Sequence, residues 1–343
     1  MGHLNFFKGK GWILINQIIN IMNKENVDWK PNTKLKFSPI FTNPLNGKKI
    51  LQWIFMYPGL ILPWGIFFII ISSIVCFYIL PILNYEKIFS LKLISVIFFK
   101  NYFLICFFWG LLHFFLYVSR VQKNKYKYNH KFPKDNNRIF LFKNQTYENL
   151  FWTLISGVPI WSLYEIISLW ALKNNFLYQI NFLSNPIYFI LLTIILIPIY
   201  HEFHFYCIHR IIHWPPIYKR IHYIHHKNIN PGPWSGLSMH PIEHVLYFSG
   251  VLIFFIVPVH PFHIFYHLTR AAIGPALTHS GFGKFIVNKE KIIHADHLQH
   301  YLHHKYFDCN YGDIIIPLDE WFGTFHDGSN SSYQKLRNNK NNN

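Results

Sequence analysis

Four stretches of this chain carry almost no polar side chains, and each approaches the length a helix needs to cross a bilayer. Residues 64 to 83 hold no charge. Residues 102 to 118 form a second run, preceded by Lys100 and Asn101. A third covers about 150 to 172 with the lone charge Glu165, and a fourth covers about 178 to 200 and ends directly at His201. A spanning helix takes about 20 apolar residues, so the pattern predicts four crossings. Residues 245 to 278 are apolar again but broken by Pro258, His260, Pro261 and Arg270. Each half is short for a crossing, and a re-entrant hairpin fits better. The expected fold is an all-α integral membrane protein with about four spanning helices plus that hairpin, and a helical cap where the chain leaves the fourth span.

Composition agrees with this reading. Hydrophobic residues make up 51%, aromatics 20% and charged residues only 14%, low for a soluble domain of 343 residues. Lysines and arginines crowd the segment before the first span and the loop between the second and third, which places both on the cytoplasmic side. Four crossings return the chain to that side near residue 200. The net charge of +17 is then explained by topology and anionic lipid rather than by nucleic acid. Residues 1–50 read as a cytoplasmic N-terminal segment, in which 5–22 form an interfacial helix or pack against the first span. Residues 51–149 hold the first two spans and the basic loop. No cleavage site or myristoylation motif is present in the first residues, so no processing is expected. The Asn-, Ser- and Lys-rich stretch 329–343 reads as a disordered tail.

The chemistry sits in the histidines. His209 and His213 are four apart. His222, His225 and His226 follow, and His300, His303 and His304 repeat that spacing. Residues three and four apart share a helix face, so these clusters present imidazoles in sets. Imidazole suits zinc, copper, iron and nickel, and eight ligands exceed what one zinc takes, so two transition-metal ions are expected. Isolated histidines such as His113, His130, His260, His263, His267, His294 and His326 read as structural. Cys76, Cys106, Cys207 and Cys309 form no CxxC pair and predict neither disulfides nor metal ligation.

At these clusters the chain resembles the fatty acid hydroxylase and sterol desaturase superfamily of membrane di-iron enzymes, over about residues 150–328. Phe205-Tyr206 through His209-Arg210 and His213 is similar to an FYxxHRxxH box, and Tyr218-Lys219-Arg220 with His222, His225 and His226 to a YKxxHxxHH box. Met239-His240-Pro241-Ile242-Glu243 is similar to an HPxE stretch and His279-Ser280-Gly281-Phe282 to an HSG element. After His300, His303 and His304 come Asn310-Tyr311-Gly312, Asp319 and Gly323-Thr324, as in the sterol desaturase branch.

The resemblance implies iron ligands at His209, His213, His222, His225, His226, His300, His303 and His304. His240, His279 and His297 are further candidates, since they match or lie within ligand-bearing elements of various branches. His201, His204 and His244 are expected to pack or support. Glu202, Glu243 and Asp296 are the carboxylates placed to orient a ligand ring, while Asn310, Tyr311, Asp319 and Thr324 read as architecture. What the resemblance implies is a non-heme di-iron oxidoreductase that uses O2 to hydroxylate or desaturate a membrane lipid, sterol-like or fatty acyl. No fused heme, flavin or iron–sulfur motif is present, so a separate electron donor of ferredoxin or cytochrome b5 type is expected. The histidines would lie at the cytoplasmic face of a bacterial inner membrane or the endoplasmic reticulum. The alternatives are a fatty acid or sphingolipid hydroxylase of the same superfamily and, outside it, a metal transporter or a membrane-anchored structural zinc protein.

Overall fold

A computed structural model describes residues 28–32, 35, 37–82, 89–133, 135–288 and 291–341. The expected interfacial helix at 5–22 lies outside the described residues. The first helix, α1 (Gly47–Phe55), is capped by Asn46, whose side chain accepts from the Lys49 N–H. It leads through 56–63 into α2 (Trp64–Ile79). Three longer helices follow: α3 (Leu91–Val118), α4 (Gln145–Lys173) and α5 (Pro186–Ile212), of 28, 29 and 27 residues. All three are long and apolar enough to cross a membrane, whereas α2 is shorter. The protein is an all-α membrane protein. Along α3, Phe99, Phe103 and Phe107 stand exposed at four-residue spacing, a stripe suited to lipid rather than water.

Two helices begin away from the positions expected from the sequence, for identifiable reasons. α3 starts at Leu91 rather than 102 because Ser90 caps it, accepting from the Leu93 N–H. Lys100 and Asn101, which precede the second apolar run, turn inward and are buried. The Lys100 ammonium pairs with Glu165 of α4 at 2.9 Å and donates to Asn101 Oδ1, while Asn101 Nδ2 donates to both Ser162 and Glu165. The fourth span starts at Pro186, a residue whose fixed φ suits a first helical turn. Residues 178–180 instead bond to Val259, with Ile180 N–H donating to its carbonyl and Val259 N–H to that of Tyr178.

The segment expected as a hairpin forms α7 (Pro241–Phe255) and α8 (Pro261–Ile273), joined at 256–260. His260 caps α8 by accepting from the Phe262 N–H. Most of α8 is buried, packed against α2, α4 and α3, so its backbone is shielded although the helix is too short to cross. It continues into α9 (Pro275–Thr278). A two-stranded antiparallel ribbon, β1 (Lys284–Ile286) and β2 (Ile292–His294), interrupts the helical pattern. Then come α10 (Leu298–Tyr306), α11 (Leu318–Trp321) and α12 (Asn330–Asn341). α12 occupies the stretch read as a disordered tail. Ser329 accepts from the Ser332 N–H at its start, and Tyr333 lies against the ring of Tyr306.

The α3–α4 ion pair gives a test. Lys100→Met leaves Glu165 buried and unpaired and should lower stability by about 3–5 kcal/mol, most of which a second change, Glu165→Leu, should restore. Thermal unfolding of both variants in detergent reads the difference.

Candidate metal centre

The C-terminal half of α5 delivers His209, and His213 follows it with its N–H on the His209 carbonyl. The chain turns at Trp214 and re-enters a helix, α6, that runs from Pro215–Ile217 through Tyr223–His226. One turn of α6, Tyr218–His222, is widened, with the Tyr223 N–H reaching back to Tyr218, an insertion often found at functional sites. α9 ends at His279, and α10 carries His300, His303 and His304. Gly281 follows in the left-handed region at φ +76°, where a Cβ would come within 2.6 Å of the Tyr117 hydroxyl. The glycine of the HSG element is therefore required by the backbone.

These segments bring nine imidazoles into two groups. His209, His213, His222, His226 and His303 form one, and His225, His279, His300 and His304 the other, with the ligand atoms of each within 4.8 Å of one another. The two HxxHH clusters are divided between them. Positions four apart differ by about 40° around a helix, and positions three apart by about 60° in the opposite sense. His222 and His226 thus face the first group while His225 faces the second. In α10 the division is reversed: His300 and His304 face the second group and His303 the first. Each cluster feeds both.

The nitrogen contacts show what these groups are suited to hold. His213 Nε2 lies 3.1 Å from the Nε2 atoms of His222, His226 and His303 alike. His279 Nε2 faces those of His225, His300 and His304 at 3.2, 2.9 and 3.1 Å. One proton cannot serve three such contacts. Moreover, several Nδ1 atoms are already donors: His209 to the Tyr311 carbonyl at 2.6 Å, His303 to that of Cys309 at 2.6 Å, His279 to that of Pro275 at 2.9 Å and His222 to Glu243 at 2.7 Å. That fixes the tautomer and turns the Nε2 lone pairs toward each other. Lone pairs so arranged repel unless a cation lies between them. Nitrogens about 2.1 Å from one ion and at right angles about it would lie about 3.0 Å apart, which is the spacing found. Imidazole donors at this spacing fit a transition metal in each group.

Burial, reinforced by neighbouring imidazoles, holds these rings neutral. His303 and His225 are pushed down to about 3, while His222, His226, His279, His300 and His304 lie well below the usual histidine range for the same reasons. His213 is lowered too and is the one half-buried member. Burial also raises Glu243 well above the ordinary carboxylate range.

The remaining sequence candidates fall elsewhere. His240 lies outside both groups and caps α7, accepting from the Ile242 N–H. His297 also stands outside them, at the start of α10. His244 bonds Ser156 and the Leu237 carbonyl, and His204 bonds Ser249. Of the three carboxylates, Glu243 orients a ring of the first group. Glu202 accepts from the Ile315 and Ile316 N–H groups, and Asp296 pairs with His294. Asp319 accepts from the Tyr311 and Gly312 N–H groups and from Thr324, and so holds the loop whose Tyr311 carbonyl orients His209. The acceptors at Tyr311, Cys309 and Pro275 are backbone carbonyls, so no side-chain pattern announces them.

A cavity of about 1220 Å3 reaches both groups, lined by His209 and His222 of the first and by His225, His279 and His300 of the second. Aromatic and aliphatic side chains, among them Trp53, Trp64, Phe68 and Phe205, form much of its remaining wall.

Fold and site together define a class: helical membrane proteins whose histidines gather into two adjoining groups, each suited to a transition metal, at the end of a span-length helix. Residues 194–324 match the fatty acid hydroxylase family model. It is similar to the Delta(7)-sterol 5(6)-desaturase ERG3B of Gibberella zeae, 31% identical over 137 residues, covering 39% of this chain and 41% of that protein. It is similar also to the Delta(7)-sterol 5(6)-desaturase erg3C of Aspergillus fumigatus, 32% identical over 148 residues, covering 36% and 45%. With the Saccharomyces cerevisiae Delta(7)-sterol 5(6)-desaturase ERG3 it is 28% identical over 134 residues, covering 38% and 36%. The chain thus spans less than half the length of these curated relatives. No solved structure matches it.

Removing the carboxylate that orients His222 should weaken metal retention. Glu243→Ala is expected to lower affinity about 10- to 100-fold, and His240→Ala to leave metal content unchanged, as read by chelator competition. The neutral rings also set a pH dependence. Their folded pKa values lie below the unfolded value of about 6.5, so the unfolded chain binds protons first, and stability of the metal-free protein falls as pH drops below about 6.5. Its unfolding midpoint in detergent should therefore be lower at pH 5 than at pH 7.

Proposed function

We propose that this protein is a non-heme di-iron oxidoreductase that uses O2 to hydroxylate or desaturate a membrane lipid. The observation that carries this is the pair of adjoining groups of five and four imidazoles, with lone pairs facing one another and one cavity reaching both. His209, His213, His222, His226 and His303 would hold one iron, and His225, His279, His300 and His304 the other. When bound, such a pair supplies the redox chemistry needed to attack an unactivated C–H bond, which positioned acids and bases do not.

The chain's own residues do the rest. Carbonyls of Tyr311, Cys309 and Pro275, with Glu243, hold the rings of His209, His303, His279 and His222 in one tautomer and orientation. The largely apolar cavity wall suits a lipid lying beside His209, His225 and His300. The relatives are named as sterol desaturases, which favours a sterol-like substrate over a fatty acyl one. A metal transporter fits less well, since its ligands belong at mid-bilayer, whereas these gather at the end of α5 and beyond it. Reducing equivalents would come from a separate carrier of ferredoxin or cytochrome b5 type. The basic loop between α3 and α4 supports a cytoplasmic position for the histidines, since α4 and α5 return the chain to the side on which that loop lies.

Metal analysis by mass spectrometry of protein made in iron-replete cells tests the reading. Two irons per chain are expected. His222→Ala should chiefly deplete the first site, His300→Ala the second, and the double substitution both. Zinc alone, or metal indifferent to the substitutions, would overturn the proposal.

A further inference from the structure

The cavity beside the histidines is not uniformly apolar. Arg270 is the one charged residue of α8, a helix otherwise embedded among apolar neighbours, and it faces this cavity. Its guanidinium lies 5.8 Å from the Phe68 ring, and its buried Nε has no partner. A cation in such a place needs a reason. Asp313 lines the same cavity, near enough for its carboxyl to feel the charge of Arg270. Yet among the described residues no ion pair within 4.0 Å joins the two, and no side chain or N–H bonds the Asp313 carboxylate. Glu202, the other acid that Arg270 influences, is already engaged by the Ile315 and Ile316 N–H groups.

We propose that Arg270 and Asp313 form the docking point for a hydroxyl at the polar end of the lipid substrate. The inference rests on the lipid-oxidising reading and adds what orients the lipid. An alcohol both donates and accepts, so it can take a bond from the guanidinium and give one to the carboxylate. A carboxylate end would meet the charge of Asp313, and a hydrocarbon would leave both groups desolvated and unpaired. From Arg270 the wall runs along α8 and α9 through Gly274 and Leu277 to His279, so a lipid held at this end lies alongside the second histidine group. Arg270 and Asp313 act by positioning.

The test uses the full chain, metal-replete, in detergent, with two probe series that differ only at the end group. One is cholesterol, cholestane and cholesteryl hemisuccinate, and the other hexadecanol, hexadecane and palmitate. Dissociation constants come from ligand-dependent shifts of the unfolding midpoint. In at least one series the alcohol should bind about ten-fold tighter than the hydrocarbon and the acid. Arg270→Gln and Asp313→Asn should each remove that preference, and Arg270→Lys should keep part of it. Should Arg270→Gln fail to fold, Asp313→Asn decides. No preference for the alcohol in either series, a preference for the acid, or one that survives both substitutions would overturn the inference. Iron content, measured separately, distinguishes this from failure of the di-iron reading: a chain lacking iron that still prefers the alcohol loses the latter alone.

Discussion

Everything near the centre of this protein depends on keeping nine imidazoles uncharged while their lone pairs point at one another. Neither condition is met in water, where the rings would protonate in mild acid and turn apart. Burial removes the first freedom, and for His209, His303, His279 and His222 the bonds from Nδ1 to the carbonyls of Tyr311, Cys309 and Pro275 and to Glu243 remove the second. Those acceptors must themselves be rigid. Asp319 clamps the 311–312 backbone, and Asn310 bonds the carbonyls of Gln299 and His326, so the loop after α10 is fixed at both ends.

The membrane helices serve this arrangement. α8 is short and enclosed, and that places α9 and His279 against α6 and α10 without the chain crossing the bilayer there. The Lys100–Glu165 pair does for α3 and α4 what the carbonyls do for the rings, fixing a register where apolar packing alone tolerates sliding.

Much of this was legible in the sequence, because its signals are periodic. The spacing of His222, His225 and His226, echoed at His300, His303 and His304, announces helical ligand sets, and the charge-free runs announce the long helices. What stayed hidden involves partners distant in the chain. Lys100 reads as one more polar residue ahead of an apolar run until Glu165, 65 residues away, is found beside it. His240 and His297 sit in ligand-like motifs, yet one caps a helix and the other stands at the start of α10. The division of each HxxHH cluster between two sites follows from helix geometry only once the facing helix is known.

That division also bears on how the protein is made. Since α6 and α10 each contribute to both groups, neither site can reach its full ligand set while the ribosome has produced only the first. Until α10 is made, His209, His213, His222 and His226 surround a position still missing His303, and His225 and His279 await His300 and His304. Both groups are therefore completed late in biogenesis, after synthesis of the last helices that reach the centre, and a chain interrupted before residue 300 would carry two half-built groups rather than one finished one.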